Sequence, residues 1–266
     1  MTDYQTIRVD KDGAVATVAF NRPESRNSIN GRMMVELHGA LSEIAGDGTT
    51  RVLVLRGTGA DFCPGADVKH YASDEPKGEA GGAAPRWSGT KEYNVSVLLH
   101  EMPAVTIAAI SGACAGAGFG WACACDLRIA SETARLNTAF LDVGVAGDMG
   151  LPWSLPRLVG SAKARELCFL PGKFDAAEAL RLGLVNRVSA ASDFEADVAA
   201  LAGRLARSAP IALAALKANF VAAERMGFSD FIALEAEKHV RLFQTEDTTE
   251  AFKAFVEKRP PVFRGR

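Results

Sequence analysis

No apolar run in these 266 residues reaches the roughly 20 needed to cross a bilayer, so no membrane span is expected. The N-terminal Met-Thr-Asp-Tyr-Gln lacks the charged-then-apolar pattern of an export signal, which supports a cytoplasmic location. Cysteine is scarce: Cys63, Cys114, Cys123, Cys125 and Cys168 are odd in number and irregularly spaced, and suggest no disulfide framework. Histidine is scarcer, and His38, His70, His100 and His239 are scattered. There is no H-E-x-x-H, no G-x-S-x-G and no second ligand pair for Cys123-Ala-Cys125. Zinc-protease and serine-hydrolase chemistry lack their groups, no metal is expected, and the thiols read as buried core. An excess of one charge is absent too. The 30 Lys and Arg against 32 Asp and Glu give a net charge of −2, which argues against a nucleic-acid partner.

What is present is an ordinary globular composition, 48% hydrophobic and 23% charged, with length enough for a substantial core. Two glycine-rich stretches stand out: Gly57-Thr-Gly-Ala-Asp-Phe-Cys-Pro-Gly-Ala-Asp67 and Ser111-Gly-Ala-Cys-Ala-Gly-Ala-Gly-Phe-Gly120. Each follows a short apolar run, Val52–Leu55 and Ala104–Ile110, and each leads toward a helical pattern. Two small-residue turns after two strands can aim two backbone N–H groups at one point and stabilise an oxyanion there. Gly116-Ala-Gly-Phe-Gly120 lacks the spacing of a dinucleotide fingerprint.

Strands and helices alternate through the first half. Ile7–Asp10 and Ala14–Phe20 read as a hairpin, and Asn30 as the N-cap of a helix through Met33, Met34, Leu37 and Leu41. A helix over Lys91–Glu101 stops at Met102-Pro103, since proline disfavours helical geometry in the residue before it. The β-β-α succession predicts an α/β fold. From Ser161 onward the pattern is mostly helical, and its apolar stripes (Phe220, Phe231, Leu234, Leu242, Phe243) suit packing on the body or on another subunit. Residues 1–200 are therefore expected as a core and 201–266 as a helical C-terminal region. Ser73–Gly89 has one large apolar residue, Trp87, and reads as a surface loop, either a pocket lid or an insertion without function.

The two glycine stretches together resemble the crotonase (enoyl-CoA hydratase/isomerase) superfamily. The resemblance extends to Asn21-Arg-Pro-Glu-Ser-Arg-Asn-Ser-Ile29, Leu155-Pro-Arg-Leu-Val-Gly160 and Phe255-Val-Glu-Lys-Arg-Pro-Pro-Val-Phe263, and so covers nearly the whole chain. It implies a spiral of ββα units with a helical trimerisation region, and homotrimers or hexamers. It also implies a coenzyme A thioester substrate, with no cofactor beyond the CoA that the substrate carries. The amides of Ala66 and Ala117 are implied to hold the thioester oxygen. Ala66, Asp67, Val68 and Lys69 are implied to line the CoA path, with Gly116 in the second loop and Lys258 near the CoA phosphates. For either lysine a solvated surface charge is the alternative, and Asp67 also suits ordering the loop.

Hydratases of this superfamily carry two glutamates where this chain has Gly120 and Phe140, neither of which can transfer a proton. Phe140 instead suits the acyl pocket's border. Asp148, in Val143-Gly-Val-Ala-Gly-Asp-Met-Gly150, is the replacement candidate, with Asp142 a weaker one. A lone carboxylate beside an enolate can remove a proton from one carbon and return it to another, which is isomerisation. The alternative for Asp148 is an N-cap of the next helix. Three functions stand open: an enoyl-CoA isomerase, which the residues favour, an enoyl-CoA hydratase, and a catalytically silent acyl-CoA binder.

Overall fold

The computed structural model describes residues 4–68 and 91–266. Lys69, the Ser73–Gly89 loop and Trp87 lie outside the described residues.

Two β-rich layers organise the body. Strands β1 (Ile7–Asp12) and β2 (Val15–Phe20) form the expected antiparallel hairpin, turning at Gly13 with φ 55°. Parallel strands β3 (Val52–Gly57), β4 (Val105–Ile110), β6 (Leu127–Ser131) and β9 (Arg187–Ser189) continue the sheet in the order β1-β2-β3-β4-β6-β9. A smaller sheet joins β5 (Ala113–Ala115), β7 (Arg135–Asn137) and β8 (Phe174–Asp175). The central strands β3 and β4 read as near-continuous apolar runs because both faces are covered, the usual state of parallel strands. Val52, Val54, Ile107, Ala109 and Ile129 pack under α7 (Phe194–Ala206) through Phe194, Val198 and Ala202. Leu53, Leu55, Ala108, Ile110 and Ala130 face the larger core, shared with α1 (Gly31–Gly46), α2 (Val95–Glu101) and α3 (Gly116–Ala124).

Asn30 caps α1, its side chain accepting from the Met33 N–H at 2.9 Å. Helices α4 (Leu151–Val159), α5 (Ser161–Phe169) and α6 (Ala176–Arg181) complete the middle of the chain. Beyond α7 come α8 (Pro210–Ala223), α9 (Phe228–Leu242) and α10 (Glu246–Glu257). Lys217 fastens α8 to the body: buried, it donates to Leu99 O and Ala104 O and pairs with Asp126 at 2.8 Å. No residue of α9 is buried in this chain. No single described helix is long and apolar enough to cross a membrane.

Candidate functional site

The two glycine loops meet at the C-terminal ends of β3 and β4. Their backbones are zipped together: Phe62 N–H donates to Ser111 O at 2.7 Å, Cys63 N–H to Ala113 O at 2.9 Å, and Ala115 N–H to Cys63 O at 2.9 Å. Small residues make that approach possible. A methyl group at Gly118 would stand 2.5 Å from Cys63 O. One at Gly65, where φ is +98°, would stand 3.1 Å from Ala115 O and 3.6 Å from Ala117 N.

Ala66 bridges Ile29 as a short parallel pair. Ile29 N–H donates to Gly65 O at 2.8 Å and Asp67 N–H to Ile29 O at 2.9 Å. In a parallel pair bonded this way, the N–H of Ala66 points away from Ile29. Ala117 is the second residue of α3, and first-turn amides have no acceptor within their own helix. The helix dipole adds partial positive charge at the same end. Among the described residues, two amides on touching loops thus have no backbone partner, an arrangement suited to binding a developing oxyanion.

The Asn-Arg-Pro segment braces both loops. Arg22 pairs with Asp67 at 3.0 Å and donates to Ser28 O at 2.5 Å. Asn27 donates to Thr58 O at 2.8 Å and Asp61 O at 2.7 Å. Arg26 holds Asp61 at 2.7 Å, and the same carboxylate accepts from Ala113 N–H at 2.7 Å. In the sequence this segment reads as a landmark only, because its bracing depends on contacts between residues far apart in the chain.

Asp148 lies on a turn with positive φ at Gly144, Gly147, Met149 and Gly150, packed against Gly120 of α3. Gly120 is the slot for this turn. A methyl there would lie 2.7 Å from Met149 Cβ and 3.3 Å from Asp148 O. Position 120 therefore lacks room for a glutamate while the turn packs as it does. Ser96 Oγ anchors the turn by donating to Met149 O at 2.8 Å. The capping alternative for Asp148 is corrected by the geometry: Gly150 is the N-cap of α4, with no side-chain cap bond. Asp148 Oδ1 is buried without a hydrogen-bond partner. Burial raises its pKa to about 6. Burial likewise pushes the Cys63 thiol up to about 12, and the negative charge of Asp148 contributes to that rise.

Phe140 is buried between the two sides, its ring 3.8 Å from a methyl at Gly116 and 3.7 Å from one at Gly147. Gly116, with φ 51°, opens α3. Val68 is exposed beside the first loop. Asp142 is exposed in the turn Leu141–Val143. Trp153 stacks edge-on against His100 at 5.2 Å, with Arg157 3.7 Å over its ring. Lys258 is exposed at the C-cap of α10, and among the described residues no contact brings it to the loops. Glu92 carries no signal in the sequence; Lys-Glu-Tyr-Asn looks like a solvated helix start, yet Glu92 is buried.

The profile of the family described as enoyl-CoA hydratase/isomerase matches residues 10–266. A protein of Rhodobacter capsulatus named a probable enoyl-CoA hydratase is 37% identical over 264 residues, 99% of each chain. The short-chain-enoyl-CoA hydratase of Clostridium acetobutylicum is 32% identical over 258 residues, 97% of each chain. A crystal structure of a putative enoyl-CoA hydratase from Streptomyces coelicolor superimposes with a TM-score of 0.89 at 32% identity, covering 100% of this chain and 96% of that one. The expected crotonase fold, with its C-terminal helical region, is what this chain adopts.

Proposed function

This chain belongs to the enoyl-CoA hydratase/isomerase family, and from that premise we propose that it forms and reprotonates the enolate of an acyl-CoA thioester. The amides of Ala66 and Ala117 take the thioester oxygen, and Asp148 carries the proton at the α-carbon. The observation that carries this reading is Asp148 itself: half-buried, with Oδ1 buried and unpartnered among the described residues and its pKa raised to about 6. A proton carrier works best with a pKa near working pH. The enolate chemistry needs no cofactor beyond the CoA of the substrate.

With Asp148 as the single carrier, the reaction is a double-bond shift, proton off C2 and on at C4. Water addition is the second reading, favoured by the names of the relatives, and it requires a second group to handle water. Absorbance at the conjugated thioester band separates the two. A 3-enoyl-CoA gains the band on isomerisation, and a 2-enoyl-CoA loses it on hydration. A protein that binds both and changes neither is a silent binder, and the reading is then wrong.

A homotrimer, or a hexamer of two trimers, fits the tail. Phe220, Phe228, Val240, Phe255 and Val256 are exposed, and no residue of α9 is fully buried within the chain. Apolar surface on this scale is ordinarily covered by a partner. Lys258, remote from the loops of its own chain, would then act as a surface charge or serve a neighbouring subunit's CoA. Sedimentation at micromolar concentration should show a trimer or larger, and a stable monomer would remove this assignment.

A further inference from the structure

Glu92 is 7% exposed, and among the described residues its Oε2 has no hydrogen-bond partner. A polar group buried without a partner costs free energy, more so when charged. Among the described residues only three buried side-chain atoms are in this state: Glu92 Oε2, Trp121 Nε1 and Asp148 Oδ1. Trp121 belongs to α3, whose first turn carries Ala117, and Asp148 sits on the turn packed against α3. Three other acidic side chains near the strand ends do have cations: Asp61 has Arg26, Asp67 has Arg22 and Asp126 has Lys217.

Topology places Glu92 beside the same site. It lies in the short turn Lys91–Asn94 that runs straight into α2, which leads down to the start of β4. The upper end of α2 therefore stands at the C-terminal edge of the parallel strands, where both loops lie. That turn packs against α1, whose N-cap follows Ile29, the bridge partner of Ala66. Ser96, four residues beyond Glu92 in the first turn of α2, is the residue bonded to Met149 O next to Asp148. Helix α2 also packs on α3. The turn that carries Glu92 is thus linked through α1 to the amide loops and through α2 to the Asp148 turn.

We propose that Glu92 is the second acid–base carboxylate of this site, handling the water that adds to C3 of a 2-enoyl-CoA while Asp148 serves C2. This inference rests on the enolate reading above. Glu92 takes a proton from water as its oxygen bonds to C3. The C2=C3 electron pair moves to form the enolate held at Ala66 and Ala117. Protonated Asp148 then gives its proton to C2 as the thioester carbonyl re-forms. Glu92 releases its proton to solvent and Asp148 regains one, so one water is consumed and both groups return to their starting state. Two carboxylates supplied from positions 92 and 148 would replace the pair that Gly120 and Phe140 cannot provide.

The test compares the parent with Glu92→Gln, Glu92→Asp and Asp148→Asn, assaying a 2-enoyl-CoA for hydration. Deuterium entry at C2 of a 3-enoyl-CoA in D2O is followed in parallel. With Glu92→Gln the ratio of hydration to C2 exchange should fall on the order of 10²-fold. The Asp variant, which keeps an acid, should recover part of that ratio. The thermal midpoint of Glu92→Gln should hold or rise, because a buried carboxyl becomes a neutral amide. An unchanged ratio in Glu92→Gln overturns the proposal, as does a fall that Glu92→Asp does not relieve at all. A parent that exchanges C2 but never hydrates overturns it too, while leaving Asp148 in place. A parent inactive in both assays overturns the enolate reading itself.

Discussion

Around Ala66 and Ala117 nearly every neighbouring polar group is tied down, whereas among the described residues the Asp148 turn is anchored by two serine side chains at its end, Ser96 on Met149 O and Ser154 on Gly150 O. The amide side is zipped by three backbone bonds between the loops and braced by Arg22, Arg26 and Asn27. On the other side, residues 141–146 are exposed, and four positive φ angles fall between Gly144 and Gly150. The difference suits the two tasks proposed for the two sides. An oxyanion donor works by being fixed before charge develops, so its frame must resist reorganisation. A proton carrier needs a shifted pKa, which comes from lost solvent and the lack of a partner, so a frame of hydrogen bonds to its carboxylate would defeat it.

Removing a fixed donor should have the largest effect. Ala117→Pro deletes one amide N–H, and turnover should fall by at least about 10²–10³-fold. Proline is tolerated in the first turn of a helix. Gly116, at φ 51°, must accept the ring, so the thermal midpoint is measured alongside. A folded Ala117→Pro variant with parental turnover would remove Ala117 from the reaction.

Asp148→Asn comes next, with turnover lower on the order of 10²-fold and acyl-CoA binding retained. Stability supplies an independent readout. The folded pKa of about 6 lies above the ordinary value of about 3.9, so the folded state binds more protons between those limits. Parental stability therefore falls as pH rises through that window. The Asn variant should match the parent near pH 4 and exceed it at pH 8. In activity, a 3-enoyl substrate needs charged Asp148 and should turn over faster as pH climbs through about 6. Hydration needs the protonated form and should slow over the same range. Flat profiles in both assays would mean that Asp148 does not titrate in the reaction.

The same contrast explains how much of the molecule is legible in its sequence. Backbone chemistry leaves a broad trace, because close approach demands small residues at many positions. Gly65, Gly116 and Gly118 mark the amide side by residue type alone. The core strands are equally plain, since parallel strands covered on both faces read as continuous apolar runs. Side-chain chemistry leaves single letters. Asp148 stands out only against a family pattern that Gly120 and Phe140 break, and choosing between cap and proton carrier takes the geometry around Gly150. Glu92 gives no sign, because burial of a glutamate in a polar stretch is a tertiary fact. The bracing roles of Arg22, Arg26 and Asp61 depend on contacts across the chain and have no local signal.

The brace should carry the smallest effect. Asp61 accepts from Ala113 N–H and is held by Arg26, whose hydrogen bond keeps its pKa below the usual carboxylate range. Asp61→Asn keeps an oxygen for Ala113 but turns an amide toward the guanidinium. Arg26 is largely exposed, so solvent screens the pair and the expected cost is about 1 kcal/mol. A depressed folded pKa contributes stability above the unfolded value of about 3.9, and that contribution is lost as pH falls below it. The parent's advantage over the variant should thus be full at pH 7 and shrink as pH drops below about 4. Turnover should fall by less than about tenfold, because the three backbone bonds between the loops remain. A larger loss of turnover at unchanged stability would mean that the charged brace, rather than the backbone zipper, sets the position of the second amide.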